Sequence, residues 1–278
     1  MVSWVLVHGS DRQTLAPNDR AALYGDALFE TLLWSQTHLV LAPLHWQRLL
    51  SGAARLQITL DPQVLQAFVT DIEATLKTQA SDKFCAVRVS VHRSVDARGY
   101  AFSDQTTPEL VCLINTAPMS SPRPVDLGVS PIHLARQPLL AGLKHANRLE
   151  QVMASQSLAD QGYEDGLMCL ETGPVVCTTR ANVYALIDDV WHTPLLNDAG
   201  VAGTRRAWFL QESEQGFWQT KESELTLDQL YQADAVMISN ALRGFQEVGS
   251  IAGRPLRASP QIARVKQRYA DALAPEAC

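Results

Sequence analysis

The sequence predicts an α+β protein in two domains with mixed or antiparallel sheets and helices. Three observations carry this. Short valine-rich or alternating runs, which read as strands, recur from one end of the chain to the other. Between them lie fewer, longer runs with apolar residues at helical spacing. A stretch with three prolines and two serines, Pro118 to Asp126 (PMSSPRPVD), follows one complete set of elements, and the pattern then restarts. The expected division is a smaller α+β domain over residues 1–118, a linker over 119–127 and a larger α+β domain over 128–278.

In chain order, SWVLVHG reads as a short strand closed by a turn, and DALFETLLWSQTHLVLAP as two strands around a polar turn at Ser35 to Thr37. Leu44, Leu49, Leu50, Ala53 and Leu56 form a helical stripe, with Arg48 and Arg55 off it. Asp61 followed by Pro62 opens a second helix as N-cap and first-turn proline. KFCAVRVSVHRS and PELVCLINTAP are strands. After the linker, DLGVSPIHLAR reads as a strand and NRLEQVMASQSLADQGY as a helix with Gly162 at its C-terminal end. Residues 165–194 read as three short strands with turns at Thr172–Gly173 and Asp188–Asp189. GTRRAWFLQESEQ is a helix entered from glycine, TLDQLYQA a short helix, DAVMISNALRGFQEVGSI two strands around a loop, and SPQIARVKQRYADALA a terminal helix.

Composition narrows the function classes. With 278 residues and 46% hydrophobic content the chain has material for a substantial core. Its net charge of -6 supplies no basic excess for a nucleic-acid backbone, so no nucleic-acid partner is expected. The five cysteines are odd in number and none form a close pair. No disulfide framework or metal site is therefore expected, and reduced thiols point to a cytoplasmic protein. The N-terminal apolar run is too short for a signal peptide, and no run reaches membrane-spanning length, so no membrane association is expected.

One lysine stands out. Lys144 sits in LLAGLKHANRLEQ, after Pro138 and Gly142 and just before a helical run. It reads either as a solvated charge near a helix start, where the dipole slightly disfavours a cation, or as an amine desolvated by Leu139, Leu140 and Leu143 and kept neutral for covalent chemistry. The residues of this stretch alone leave both open.

The wider motif set resembles the fold type IV pyridoxal-phosphate (PLP) enzymes, and within them the aminodeoxychorismate lyases. The resemblance rests on LAGLKHANRLEQV, ANVYAL, GVAGTRR, HWQRLL, RGY (Arg98 to Tyr100), SNALRGFQEV, and the pattern DRxxxxGDxxFE formed by Asp19, Arg20, Gly25, Asp26, Phe29 and Glu30. It spans nearly the whole chain in order. It implies a homodimer with PLP bound between the two domains of each chain. The reaction implied converts the small molecule 4-amino-4-deoxychorismate to 4-aminobenzoate and pyruvate, a step of folate biosynthesis. Lys144 is implied as the Schiff-base residue and the proton-abstracting base. The alternative is a fold type IV aminotransferase acting on D-amino or branched-chain amino acids. A non-catalytic PLP-binding protein is a third reading.

By the same resemblance Arg48 contacts the cofactor phosphate, where a guanidinium suits a dianion. Gly203, Thr204 and Arg205 bring backbone N–H groups at a helix start. Their order departs from the family's Gly-Ile-Thr-Arg, with the threonine shifted by one. Asn240 and Ala241 lie near the cofactor, Ala241 where the family often has threonine. Cys177 occupies the position of the family glutamate that holds the pyridine nitrogen protonated, and Glu171 is too far along the hairpin to substitute for it. Tyr24, Arg98, Tyr100 and Arg136 are candidates for the substrate and its carboxylates. Arg88 and Arg93 read equally as strand-face arginines, and His145 is left out of the catalytic set because a chain neighbour usually points away.

Overall fold

The computed structural model describes residues 4–8, 18–80, 83–93, 99–102, 107–118 and 123–273. The chain forms two compact units, Met1–Pro118 with Leu143–Asn147, and Met119–Gly142 with Arg148–Cys278. The lysine segment thus packs with the first unit, although both its flanks belong to the second.

The first unit contains β1 (Trp4–Val7), α1 (Arg20–Tyr24), β2 (Ala27–Ser35), α2 (Ala42–Arg55), α3 (Pro62–Gln79), β3 (Phe84–His92) and β4 (Glu109–Thr116). Its antiparallel sheet runs β1-β4-β3-β2. Val87, Val89 and Val91 of β3, all fully buried, explain the valine run in the sequence. Strand alternation sends Leu28 and Glu30 toward α2, where Leu28 lies against Gly52 and Glu30 meets His45 and Arg48. Asp61 caps α3 by accepting from the Gln63 N–H. The strand expected after the Ser35 to Thr37 turn does not form. Only a Trp34–Leu39 bridge follows, and Leu41, at φ 52°, turns the chain left-handed into α2 with its early proline. The short α1 was not expected, although Asp19 caps it and Gly25 ends it in the left-handed region.

The second unit contains β5 (Val125–Val129), α4 (Leu149–Asp160), β6 (Asp165–Cys169), β7 (Val175–Thr178), β8 (Asn182–Ile187), β9 (Val190–Pro194), α5 (Thr204–Glu214), β10 (Gln219–Ser223), α6 (Leu227–Gln232), β11 (Ala235–Asn240), β12 (Gly244–Ile251), β13 (Arg254–Pro255) and α7 (Pro260–Leu273). The sheet runs β10-β9-β8-β11-β12-β5-β6-β7, with β13 on β12. It is mixed: β10/β9, β12/β5 and β5/β6 pair in parallel, the rest antiparallel. Residues 165–194 form four strands instead of three, because the ladder breaks between Thr178 and Asn182. β5 begins at Val125, inside the stretch read as linker; residues 119–122 lie outside the described residues. Tyr184, Trp208, Phe209, Trp218, Phe245 and Tyr269 form an aromatic core under α5, with the Phe209 and Trp218 rings stacked at 4.7 Å. Among the described residues no helix is long and apolar enough to cross a membrane.

The path to Lys144 is pinned on both sides. In the second unit the Gln137 N–H donates to the Asp198 carbonyl, the Gly142 N–H to Gly200, and the Ala202 N–H to Gly142. Gly142 sits at φ 79°, a turn that suits glycine. In the first unit, residues 143–147 then pair with β2: the Phe29 N–H donates to the Lys144 carbonyl and the Ala146 N–H to the Ala27 carbonyl, both at 2.9 Å. Asn147 Nδ2 donates to the Gly25 carbonyl.

Glu30 is 1% exposed and binds three donors. His45 Nδ1 lies 2.6 Å from Oε2, Arg48 Nε 2.8 Å from Oε1 and Arg48 Nη2 2.5 Å from Oε2. Burial alone would raise the carboxyl's pKa, but the Arg48 charge and the His45 and Arg48 hydrogen bonds overcome it and hold it at about 2, below its ordinary 4.5.

Two predictions follow from these contacts. The unfolded state binds the Glu30 proton more readily, so the network's stability is complete above about pH 4.5 and is lost as pH falls toward about 2. Glu30→Gln removes the carboxylate that pairs with the half-buried Arg48 and the buried His45 and should cost about 3 kcal/mol at neutral pH. Denaturant unfolding across this acid range should show a shallower acid loss in the variant; an unchanged acid limb refutes the assignment. Gly25→Ala places a Cβ at a φ of 66° and 2.5 Å from Asn147 Oδ1. It should lower stability by roughly 1–2 kcal/mol from the left-handed backbone alone, read by the same unfolding titration.

Candidate active site

Pairing with β2 decides what surrounds Lys144. Lys144 stands directly across from Phe29, with Nζ 4.2 Å from the ring centroid. The neighbouring Leu143 is buried on the opposite side, toward Gly52 of α2. Leu139 is 69% exposed. Leu143, expected to help desolvate the amine, therefore lies on the other side of the segment, and the Phe29 ring stands beside the amine instead. Lys144 is also extended and precedes α4, which begins at Leu149, so it is not a helix-start charge.

The same face of the first sheet carries Arg88. It is half-buried, with its guanidinium carbon 3.6 Å from the Phe29 ring centroid. Burial lowers its pKa, and among the described residues no carboxylate pairs with it. Two cations share one ring with no acidic partner for Arg88, an arrangement that suits an anion. Alternation along β3 allows this face, yet residue order alone could not separate it from an ordinary strand-face arginine.

The other motif residues of the first unit build the frame. Arg20, 4% exposed, donates to Asp26 and to the carbonyls of Gly99, Tyr100 and Ala101. Arg93 donates to Asp26 and to the Leu56 and Gln57 carbonyls past the end of α2, so it is a buried cap and not a strand-face charge. Tyr24 packs against the strongly exposed Tyr100, ring centroids 5.3 Å apart. Arg98 lies outside the described residues. Arg48 is held by Glu30, its guanidinium plane fixed by two hydrogen bonds. Asp19, His92 and Glu109 place ligand-type atoms within 4.8 Å of one another. Asp19 spends Oδ1 on capping α1 and meets His92 Nδ1 with Oδ2 at 3.1 Å.

In the second unit, Gly203 precedes α5 as an N-cap with no side-chain cap bond. The first N–H groups of a helix have no intrahelical acceptor and carry the positive end of its dipole. A Cβ on Gly203 would lie 1.9 Å from Asn182 Oδ1, so only glycine fits. Asn182 itself donates to the Val201 carbonyl, fixing the approach to the helix. This role of Asn182 was not foreseen. Thr204 and Arg205 are almost fully buried. Arg205 donates to the Ala241 carbonyl at 2.7 Å, and Asn240 Oδ1 accepts from the Leu242 and Arg243 N–H groups. The Asn240 oxygen thus shapes the 240–243 turn. Arg136 is exposed and ion-paired with Asp198 at 3.0 Å.

Cys177 is buried in β7, paired with Met168 of β6. Burial, with Asp165 nearby, pushes its thiol up to about 12 against the lowering effect of Arg148. It is a neutral group at ordinary pH.

The Amino-transferase class IV family model matches residues 27–251 of the chain. An aminodeoxychorismate lyase of Vibrio harveyi is 30% identical over 249 residues, covering 88% of this chain and 90% of the relative. A D-alanine aminotransferase of Staphylococcus aureus (strain N315) is 24% identical over 244 residues, 86% of this chain and 84% of the relative. The crystal structure of 4-amino-4-deoxychorismate lyase from Pseudomonas aeruginosa superposes with a TM-score of 0.88 at 30% identity, over 98% of this chain and 99% of that one. With residues 27–251 matched, most of its length, the chain belongs to the amino-transferase class IV family.

Proposed function

We propose that the protein is a PLP-dependent aminodeoxychorismate lyase, converting 4-amino-4-deoxychorismate to 4-aminobenzoate and pyruvate. The observation that carries it within the fold is Lys144, presented opposite Phe29 on the same sheet face as Arg88. The residues fit the cofactor at two ends. Lys144 supplies the amine for its aldehyde, and the Gly203-led start of α5, which a Cβ would fill, suits its phosphate. Arg48 adds charge there, oriented by Glu30. Thr204, Arg205, Asn240 and Ala241 complete that end, and Cys177 takes the ring-nitrogen side.

Once bound, the cofactor supplies an electron sink for the carbon that bears the substrate amine. With the substrate's amine in its place, Lys144 Nζ would be free to take the proton from that ring carbon. The enolpyruvyl oxygen leaves from the adjacent carbon, the ring becomes aromatic, and the departing enolpyruvate regains a proton to become pyruvate. Arg88, with Arg98, Tyr100 and Tyr24, holds the substrate's two carboxylates and its edge. The neutral Cys177 thiol argues for this elimination over amino transfer, which leans harder on a protonated pyridine. A homodimer in the cytoplasm completes the reading. It is supported by the exposed Leu149, Val152 and Met153 of α4 and by four buried free cysteines, which suit a reducing compartment.

Supplied with 4-amino-4-deoxychorismate, the PLP-loaded protein should release pyruvate and 4-aminobenzoate in equal amounts, and Lys144→Ala should not. Borohydride reduction should leave a pyridoxyl group on Lys144. Absence of both products, or of the adduct, overturns the reading. Arg88→Leu should raise KM by roughly 10- to 100-fold through loss of a charge-assisted contact, with Arg88→Lys recovering part of it. An unchanged KM removes Arg88 from the substrate site.

A further inference from the structure

The charged groups around Cys177 are one guanidinium and two carboxylates, and both carboxylates already accept from other donors. The side chain lies in an apolar cluster with Leu134, Ala154, Met168, Leu170 and Val176. The charged or titratable groups that reach it are Asp165 and Cys169 of β6, and Arg148 and Glu150 at the start of α4. Asp165 is already occupied. It accepts from the Gly166 N–H, the Thr178 hydroxyl, and the Thr179 N–H and hydroxyl, at 2.9, 2.8, 3.1 and 2.6 Å. Arg180 Nε lies a further 3.5 Å from it. Glu150 Oε1 accepts from the Ala135 N–H. The Cys169 thiol is itself pushed up by burial.

Arg148 is unusual in its place. It occupies the N-cap position of α4 without a side-chain cap bond. A cation at that end opposes the helix dipole, and Ser, Thr, Asp or Asn is the ordinary choice. Its guanidinium is largely desolvated, which lowers its pKa, with Cys177 and then Glu150 acting the other way. A basic ring nitrogen keeps a proton when an anion stands beside it. A neutral thiol in that position supplies no such anion, and carboxylates engaged by their own donors do not replace it.

We propose that the pyridine nitrogen of the bound cofactor is unprotonated in this protein, accepting a weak hydrogen bond from the Cys177 thiol. The inference rests on the reading that PLP is held by Lys144 with its ring nitrogen toward Cys177. It accounts for reaction choice. An unprotonated ring draws less electron density from the substrate, so returning a proton to the cofactor's own carbon, as amino transfer requires, is disfavoured. Elimination keeps the driving force of aromatisation.

The test uses holoenzyme loaded with PLP labelled with 15N in the ring, read by NMR across neutral pH, beside Cys177→Glu. The wild-type resonance should lie at the position of a free pyridine and not titrate, and the variant's should move to the pyridinium position. A pyridinium resonance in the wild type overturns the proposal. That measurement decides the protonation state even if the glutamate variant does not fold. A folded variant that binds PLP on Lys144, shown by borohydride reduction and peptide mass, yet keeps an unshifted resonance, removes Cys177 from the nitrogen while leaving the lysine reading intact. Absence of the Lys144 adduct in the wild type overturns both together.

Discussion

Two backbone hydrogen bonds, from Phe29 N–H to the Lys144 carbonyl and from Ala146 N–H to the Ala27 carbonyl, decide how this protein presents its lysine. They make residues 143–147 an added edge of the first sheet. Strand alternation then gives adjacent residues opposite fates. Leu143 goes under the sheet toward α2, and Lys144 goes to the other face beside Phe29. A helix at this point would have spread Leu140, Leu143 and Lys144 around a cylinder. The short strand segment instead separates the apolar anchor from the lysine amine within one peptide unit.

That edge survives because β2 is itself held rigidly. Glu30 ties it to α2 through His45 and Arg48, and Asp26 binds Arg20 and Arg93 at its start. These are buried charges, so each is costly unless matched. Arg20 and Arg93 spend their remaining donors on carbonyls: the 99–101 segment for one, the residues after α2 for the other. A set of ion pairs thereby replaces apolar packing where backbone segments without regular structure must be fixed. In the second unit the corresponding task falls to aromatic packing under α5 and to Asn182, whose oxygen lies where any side chain at position 203 would be.

The reaction proposed here needs fixed positions more than mobile ones. A base has to reach one carbon, an anion has to be held at the substrate end, and the ring end of the cofactor sets how strongly electrons are drawn. Phe29 serves the first two by placing Lys144 and Arg88 around one ring. In the proposed site the buried, neutral Cys177 thiol bears on the third.

Much of this was legible in the residue order. Periodicity marked α2, α3, α4, α5 and α7, and valine-rich alternation marked β3 and β4. The spacing of Asp19, Arg20, Gly25, Asp26, Phe29 and Glu30 marked them as a set. Their separate tasks were hidden, because Asp26 meets Arg93 and Glu30 meets Arg48 only after folding. Short elements such as α1, β10 and β13 escaped notice because a few residues hold too little periodicity, and the second arm of the expected β2 hairpin failed at Leu41. The sequence by itself determined the order of elements, the lysine, the glycines at 142 and 203 and the thiol at 177, since these depend on residue type and local spacing. Tertiary structure alone decided that Lys144 faces an aromatic ring while Leu143 turns away from it, that Arg88 lacks an acidic partner among the described residues, and that Arg93 is a cap. Those outcomes are set by which strands pair and in what register, and a register shift of one residue would reverse every one of the strand faces involved.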